Sequence, residues 1–172
     1  GGADSAARRA DGESRPFTKI QGNPKRLCAA LLLSALWLAG CGKPKFEPVE
    51  IAAEDMCAFC RMAISEKPYA AEFLNRDGDV FKFDDIGCMA SYVAEKKVGD
   101  SVAAFFVVDF HTKRWLKAEE ADFIISPNFH TPMGGGMVAF KDRSRAEAAA
   151  AANQGRLISF AEALQWRGKV GR

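Results

Sequence analysis

Residues 69–97 read YAAEFLNRDGDVFKFDDIGCMASYVAEKK. Asp77-Gly78 lies between two runs of aromatic and aliphatic residues, Tyr69 to Leu74 and Val80 to Phe83, which is the pattern of a hairpin closed by a tight turn. Asp84 then stands where an N-cap is wanted, ahead of a helix through DIGCMASYVAEKK. Lysines at its end complement the helix dipole, and Gly99 is expected to stop it. The stretch predicts strand, strand, helix.

Further along, VAAFFVVDF is a continuous apolar run of the length of a buried strand. HTKR turns it, Trp115-Leu116 begins the return, and KAEEADFIIS reads as a short helical turn and another strand. A glycine-rich loop, PNFHTPMGGGMVAF, leads into a strand at Met137 to Phe140. The alanine-rich DRSRAEAAAAANQG predicts a helix with Asp142 near its start and Gly155 at its C-terminal end. RLISF is a short strand and AEALQWRG a last helix. The two halves resemble each other: CRMAI leads to a hairpin, FKFDD and a helix, and MGGGMVAF leads to a Gln-Gly turn, LISFAEAL and a helix. The expected fold is therefore α+β, with two related small strand-strand-helix units at 55–100 and 101–172.

Toward the N-terminus the composition changes. Residues 1–24 hold too few apolar groups to order a chain and read as a disordered extension or a start placed too early. Lys25 and Arg26 then precede the apolar run from Leu27 to Leu38. Its 12 residues suit a signal-peptide core (25–40) and fall short of the roughly 20 that span a bilayer. Residues 41–54, with prolines and mixed charge, suit a tether.

Of 24 Lys/Arg and 22 Asp/Glu, the first 40 residues carry six and three, so the remainder holds 18 and 19, a formal charge of −1. No basic stripe remains, which argues against nucleic acid as a partner.

The segment DMCAFCRMAI, residues 55–64, concentrates sulfur: Cys57, Cys60 and Met62, with Met56 alongside. Four readings compete. A disulfide between cysteines three apart closes too small a loop to constrain the unfolded chain much. A thiol-disulfide oxidoreductase wants CxxC at a helix N-terminus, and RMAISEKPY is a poor helix. Structural zinc wants four ligands, which only Cys88 and two histidines at irregular spacing can complete. A soft ion, Cu(I), alone accounts for Met62, because it favours thiolate and thioether together. In an extended segment, Cys60 and Met62 face the same side and converge, with Cys57 reaching round the turn. An isolated methionine usually fills a core instead. A second soft patch, HTPMGGGM, offers His130, Met133 and Met137. Cys88 reads as packing within its helix, and His111 as an exposed turn residue.

Leu38-Ala39-Gly40-Cys41 resembles the bacterial lipobox, which implies cleavage before Cys41 and lipid on that residue. With Cys28 lost in the signal, Cys57, Cys60 and Cys88 remain as thiols. Taken together, Cys41, MCAFCRM, FDDIGCM, VVDFHTKRWLKAEEADFI and TPMGGGMVAF resemble the NosL family over most of residues 41–165. The family comprises lipoprotein copper chaperones associated with nitrous oxide reductase and denitrification. The resemblance implies a fold like that of organomercurial lyase, with Cu(I) held by Cys60 and Met62 and Met133 as the partner ligand from the second unit. It implies a periplasm-facing carrier, anchored to a bacterial membrane by the lipid on Cys41 and without catalytic turnover. Copper would pass to enzyme-maturation machinery or an apo copper enzyme. Monomer and homodimer are both compatible with the sequence. Ligand exchange calls for two or three protein ligands and an accessible ion. One residue departs from the family pattern: Arg61 stands where Gly is common. A cation there disfavours Cu(I) unless it points to solvent or pairs with a carboxylate such as Asp55.

Overall fold

The computed structural model describes residues 45–166 and Gly168, so the expectations for residues 1–44, Cys41 included, lie outside the described residues. Seven strands and three α-helices follow one another as β1 (Ala71–Asn75), β2 (Val80–Phe83), α1 (Ile86–Lys96), β3 (Val102–Val108), β4 (Trp115–Lys117), β5 (Asp122–Ile125), β6 (Met137–Phe140), α2 (Arg143–Ala152), β7 (Arg156–Ile158) and α3 (Phe160–Gln165). They form two antiparallel sheets, ordered β2-β1-β3-β4 and β6-β5-β7. No helix among the described residues is long and apolar enough to cross a membrane.

The hairpin forms as its sequence requires. Gly78 takes a φ of +90°, and the Asn75 side chain accepts from the amides of Asp77 (3.0 Å) and Asp79 (2.8 Å). The helix begins one residue later than expected, because Asp85 and not Asp84 is the N-cap, accepting from the Gly87 amide at 2.6 Å. It also ends earlier, since Lys97 already adopts the left-handed conformation that Gly99 was expected to supply.

Alternation along β1 sorts its side chains between two faces. Phe73 packs with Phe81, Phe83, Phe105 and Tyr92 of α1, with ring centroids 4.7–5.9 Å apart. Strands β3 and β4 lie beyond residue 100, yet they complete the first sheet through β1. In the second sheet, β5 lies between β6 and β7, so the strand-strand-helix unit there is β5-β6-α2, not β6-β7-α3. Buried Phe123 and Ile124 explain the central position of β5. Phe160 of α3 contacts Phe105 of one sheet and Phe123 of the other, at 5.2 and 5.7 Å. The sheets also meet where the Phe110 amide donates to Ala139 O at 2.8 Å.

The other face of β1 carries Glu72, fully buried opposite Lys82 and Phe106. Its Oε1 accepts from the Val49 amide at 2.8 Å, which ties the incoming chain to the sheet. Its Oε2 is buried without a partner, and burial pushes the carboxyl from 4.5 up to about 7. A carboxyl raised on folding contributes stability below its unfolded value, near pH 4.5, and loses it as pH rises through about 7. Glu72→Gln keeps an acceptor for Val49 and cannot ionise. Thermal unfolding is expected to show the variant more stable than wild type at pH 8.5, by up to about 3 kcal/mol, and near parity at pH 4.5. A variant less stable at pH 8.5 would contradict this.

Candidate metal centre

Residues 55–64 form a small ribbon. Met56 and Ala63 make an antiparallel bridge, flanked by Cys57 N to Met62 O at 2.8 Å and Ile64 N to Asp55 O at 3.0 Å. The Arg61 amide bonds Cys57 O at 3.0 Å and closes the turn between them, with Arg61 at a φ of +66°. Ala58 N donates to Lys82 O at 2.8 Å, which docks the ribbon on the edge of β2.

This geometry removes the expected reason for convergence. The turn and the left-handed Arg61 interrupt the alternation that would place Cys60 and Met62 on one side of an extended strand. Met62 instead stands directly opposite Cys57 across the ribbon. Cys57 is fully buried while Met62 is 56% exposed.

Two further groups close on the cysteines. Asp84, freed from capping by its neighbour, is buried between β2 and α1, and Cys88 is buried in the first turn of α1. The donor atoms of Cys57, Cys60, Asp84 and Cys88 all lie within 4.8 Å of one another. Cys60 Sγ donates to Asp84 Oδ2 at 3.4 Å, while Asp84 Oδ1 is buried without a partner. All three thiols are free. The Cys88 thiol beside it pulls the Cys57 value down to about 7, while burial pushes Cys60 up to about 12. Cys88 is held far above its ordinary value, first by its hydrogen bond to Cys57. The CxxC pair itself lies in this ribbon and not in a helix, unlike the pair of dithiol oxidoreductases.

Met133 belongs to the same buried core as Cys57 and Cys88, and its amide is tied to Asp85 Oδ2 at 3.4 Å. The glycines after it make room for close neighbours. A Cβ on Gly135 would lie 2.8 Å from Asp85 Oδ1, and Gly136, at φ +63°, would place one 2.3 Å from Ser126 O. Thr131 Oγ1 donates to Asp85 Oδ2 at 2.5 Å and accepts from Gly136 N at 3.1 Å. Asp85 thus caps α1 and fastens the glycine loop beside it. His130 is exposed, lines a separate cleft with Ser126 and the glycines, and is not in the four-donor group. His111 is exposed at its turn, where its amide bonds Asp109 Oδ1 at 3.0 Å.

Asp84 and Cys88 are the members that reading the sequence assigned to other roles, as cap and as packing. The signal was present in FDDIGC: two adjacent aspartates compete for one cap, and the loser sits four residues before a cysteine. The concern over Arg61 is resolved by exposure. Its side chain faces solvent, and Asp55 is instead taken by Lys82 Nζ at 2.5 Å and Ala52 N at 2.7 Å.

A family model described as NosL matches residues 48–165. No curated protein matches the sequence. Among solved structures, the chain is similar to the crystal structure of the copper chaperone NosL from Shewanella denitrificans, with a TM-score of 0.64 and 22% identity, covering 69% of this chain and 96% of that one. At that identity the likeness speaks to the fold.

Proposed function

The chain belongs to the NosL family, and from that premise we propose that it is a membrane-anchored Cu(I) carrier without catalytic turnover. The observation that carries this reading is the group of three thiols and one carboxylate within 4.8 Å, with the exposed thioether of Met62 across from Cys57. Thiolate and thioether sulfur together prefer Cu(I) to harder ions. Cys60 and Met62 are the primary ligands in this reading, with Cys57 and Cys88 behind them and Met133, in the glycine loop ahead of β6, as partner. His130 is a ligand only if its loop turns inward. The ion is cargo. It leaves by ligand exchange, and a half-exposed Cys60 and an exposed Met62 let an acceptor's sulfur attack one position at a time.

The anchor in this reading is lipid on Cys41, which holds the domain on the periplasmic side of a bacterial membrane. The recipient is the maturation machinery of an exported copper enzyme, or the apo enzyme itself, with nitrous oxide reductase the client the family suggests. Anaerobic titration of the purified chain is expected to give one Cu(I) per chain. Met62→Leu, which keeps the volume and removes the sulfur, is expected to weaken binding about tenfold with the thermal midpoint unchanged. Equal affinity in wild type and Met62→Leu would remove the thioether from the site.

One observation favours a second reading. Cys57, Cys60, Asp84 and Cys88 make four donors, the number that structural zinc takes. A zinc-stapled domain loses its fold when a chelator removes the ion. The carrier is expected to keep its unfolding midpoint in chelator, because most of its buried core is phenylalanine and aliphatic side chains.

A further inference from the structure

A cleft of about 560 Å³ opens on Cys60, lined by Ala58, Phe59, Arg61, Tyr92, Glu95 and Lys96. It is the size of a small-molecule site. Its rim carries two cations, Arg61 and Lys96, against one anion, Glu95. Arg61 holds a left-handed φ of +66°, a conformation that is strained for a residue with a Cβ. It is exposed and forms no ion pair among the described residues. A cationic rim repels a bare cation, so it is ill-suited to the uptake of free Cu(I).

We propose that copper reaches Cys60 through this cleft as an anionic complex of Cu(I) with a small thiol, and that Arg61 is the specificity residue that attracts it. The inference rests on the Cu(I)-carrier reading. The exchange involves no change of oxidation state. A Cu–S bond to Cys60 forms as the bond to the donor thiolate breaks, and the Cys60 proton passes to the departing thiolate, which leaves as a thiol. Lys96, the last residue of α1, also lines the cleft and adds to the attraction.

The test compares two donors on the full chain under anaerobic stopped flow, Cu(I) in excess glutathione (anionic) and the Cu(I)–acetonitrile cation. At about 20 mM ionic strength, Arg61→Glu is expected to load about tenfold more slowly than wild type from glutathione, and Arg61→Gly about threefold more slowly. Both differences are expected to fall below about twofold at roughly 0.5 M salt. From the acetonitrile cation, Arg61→Glu is expected to load as fast as wild type or faster. The final copper content is expected to be the same in all three proteins. Equal slowing from both donors, or no slowing from glutathione, would overturn the role of Arg61 and leave the carrier reading standing. If wild type takes up copper from neither donor, the carrier reading fails, and this inference fails with it.

Discussion

Cys60→Ser is expected to weaken Cu(I) binding by at least about 100-fold, with the fold intact. The substitution exchanges a soft thiolate for a hard hydroxyl at the one cysteine among the described residues that reaches solvent. A serine hydroxyl can still donate to Asp84 Oδ2, the bond that Cys60 Sγ makes at 3.4 Å, so no buried acceptor is newly orphaned. The same change at Cys57 or Cys88 is less clean, because both are fully buried and a hydroxyl there must find a partner inside the core. Competition with a Cu(I) chelator reads the affinity, and circular dichroism reads the fold. Wild-type affinity in Cys60→Ser would exclude this thiol from the ligand set.

Asp85→Ala is expected to destabilise the domain by about 3 kcal/mol or more. The loss begins with the N-cap of α1, worth about 1 kcal/mol. It continues with two further donors left facing an apolar methyl, Thr131 Oγ1 and Met133 N. Each buried donor without an acceptor costs about 1–3 kcal/mol. Burial raises the Asp85 carboxyl above its ordinary value, a sign of how little water reaches it. Asp85→Asn keeps an acceptor for Gly87 and is expected to lose about half as much. Denaturant titration measures both. A loss below about 1 kcal/mol in Asp85→Ala would mean that the glycine loop does not depend on this carboxylate. Copper affinity is expected to fall in the same variants, because Cys88 lies in the turn that Asp85 caps.

Local chemistry made much of the fold readable. The Asp77-Gly78 turn, the strands on either side of it, the alanine-rich helix and the short turn before β5 are set by residues close in sequence. The boundary between units was harder. Whether β3 pairs with β1 or with β5 depends on contacts some thirty residues apart, which no local pattern encodes. The site divides in the same way. Cys57, Cys60 and Met62 announce themselves by spacing, whereas Asp84 and Cys88 join them only because α1 starts at Asp85 and not one residue sooner. That one-residue shift releases a carboxylate from capping and points it at the thiols. Arg61 shows the limit of reasoning from alternation: one positive φ ended the extended segment on which the convergence of Cys60 and Met62 depended.

X-ray absorption at the copper edge of the anaerobically loaded chain is the most direct test of sulfur ligation. The expected spectrum is that of Cu(I) with two or three sulfur neighbours at about 2.3 Å, the length of a metal–thiolate bond, and one neighbour fewer in Cys60→Ser. A first shell of nitrogen and oxygen alone would contradict the site built from Cys57, Cys60, Met62 and Cys88.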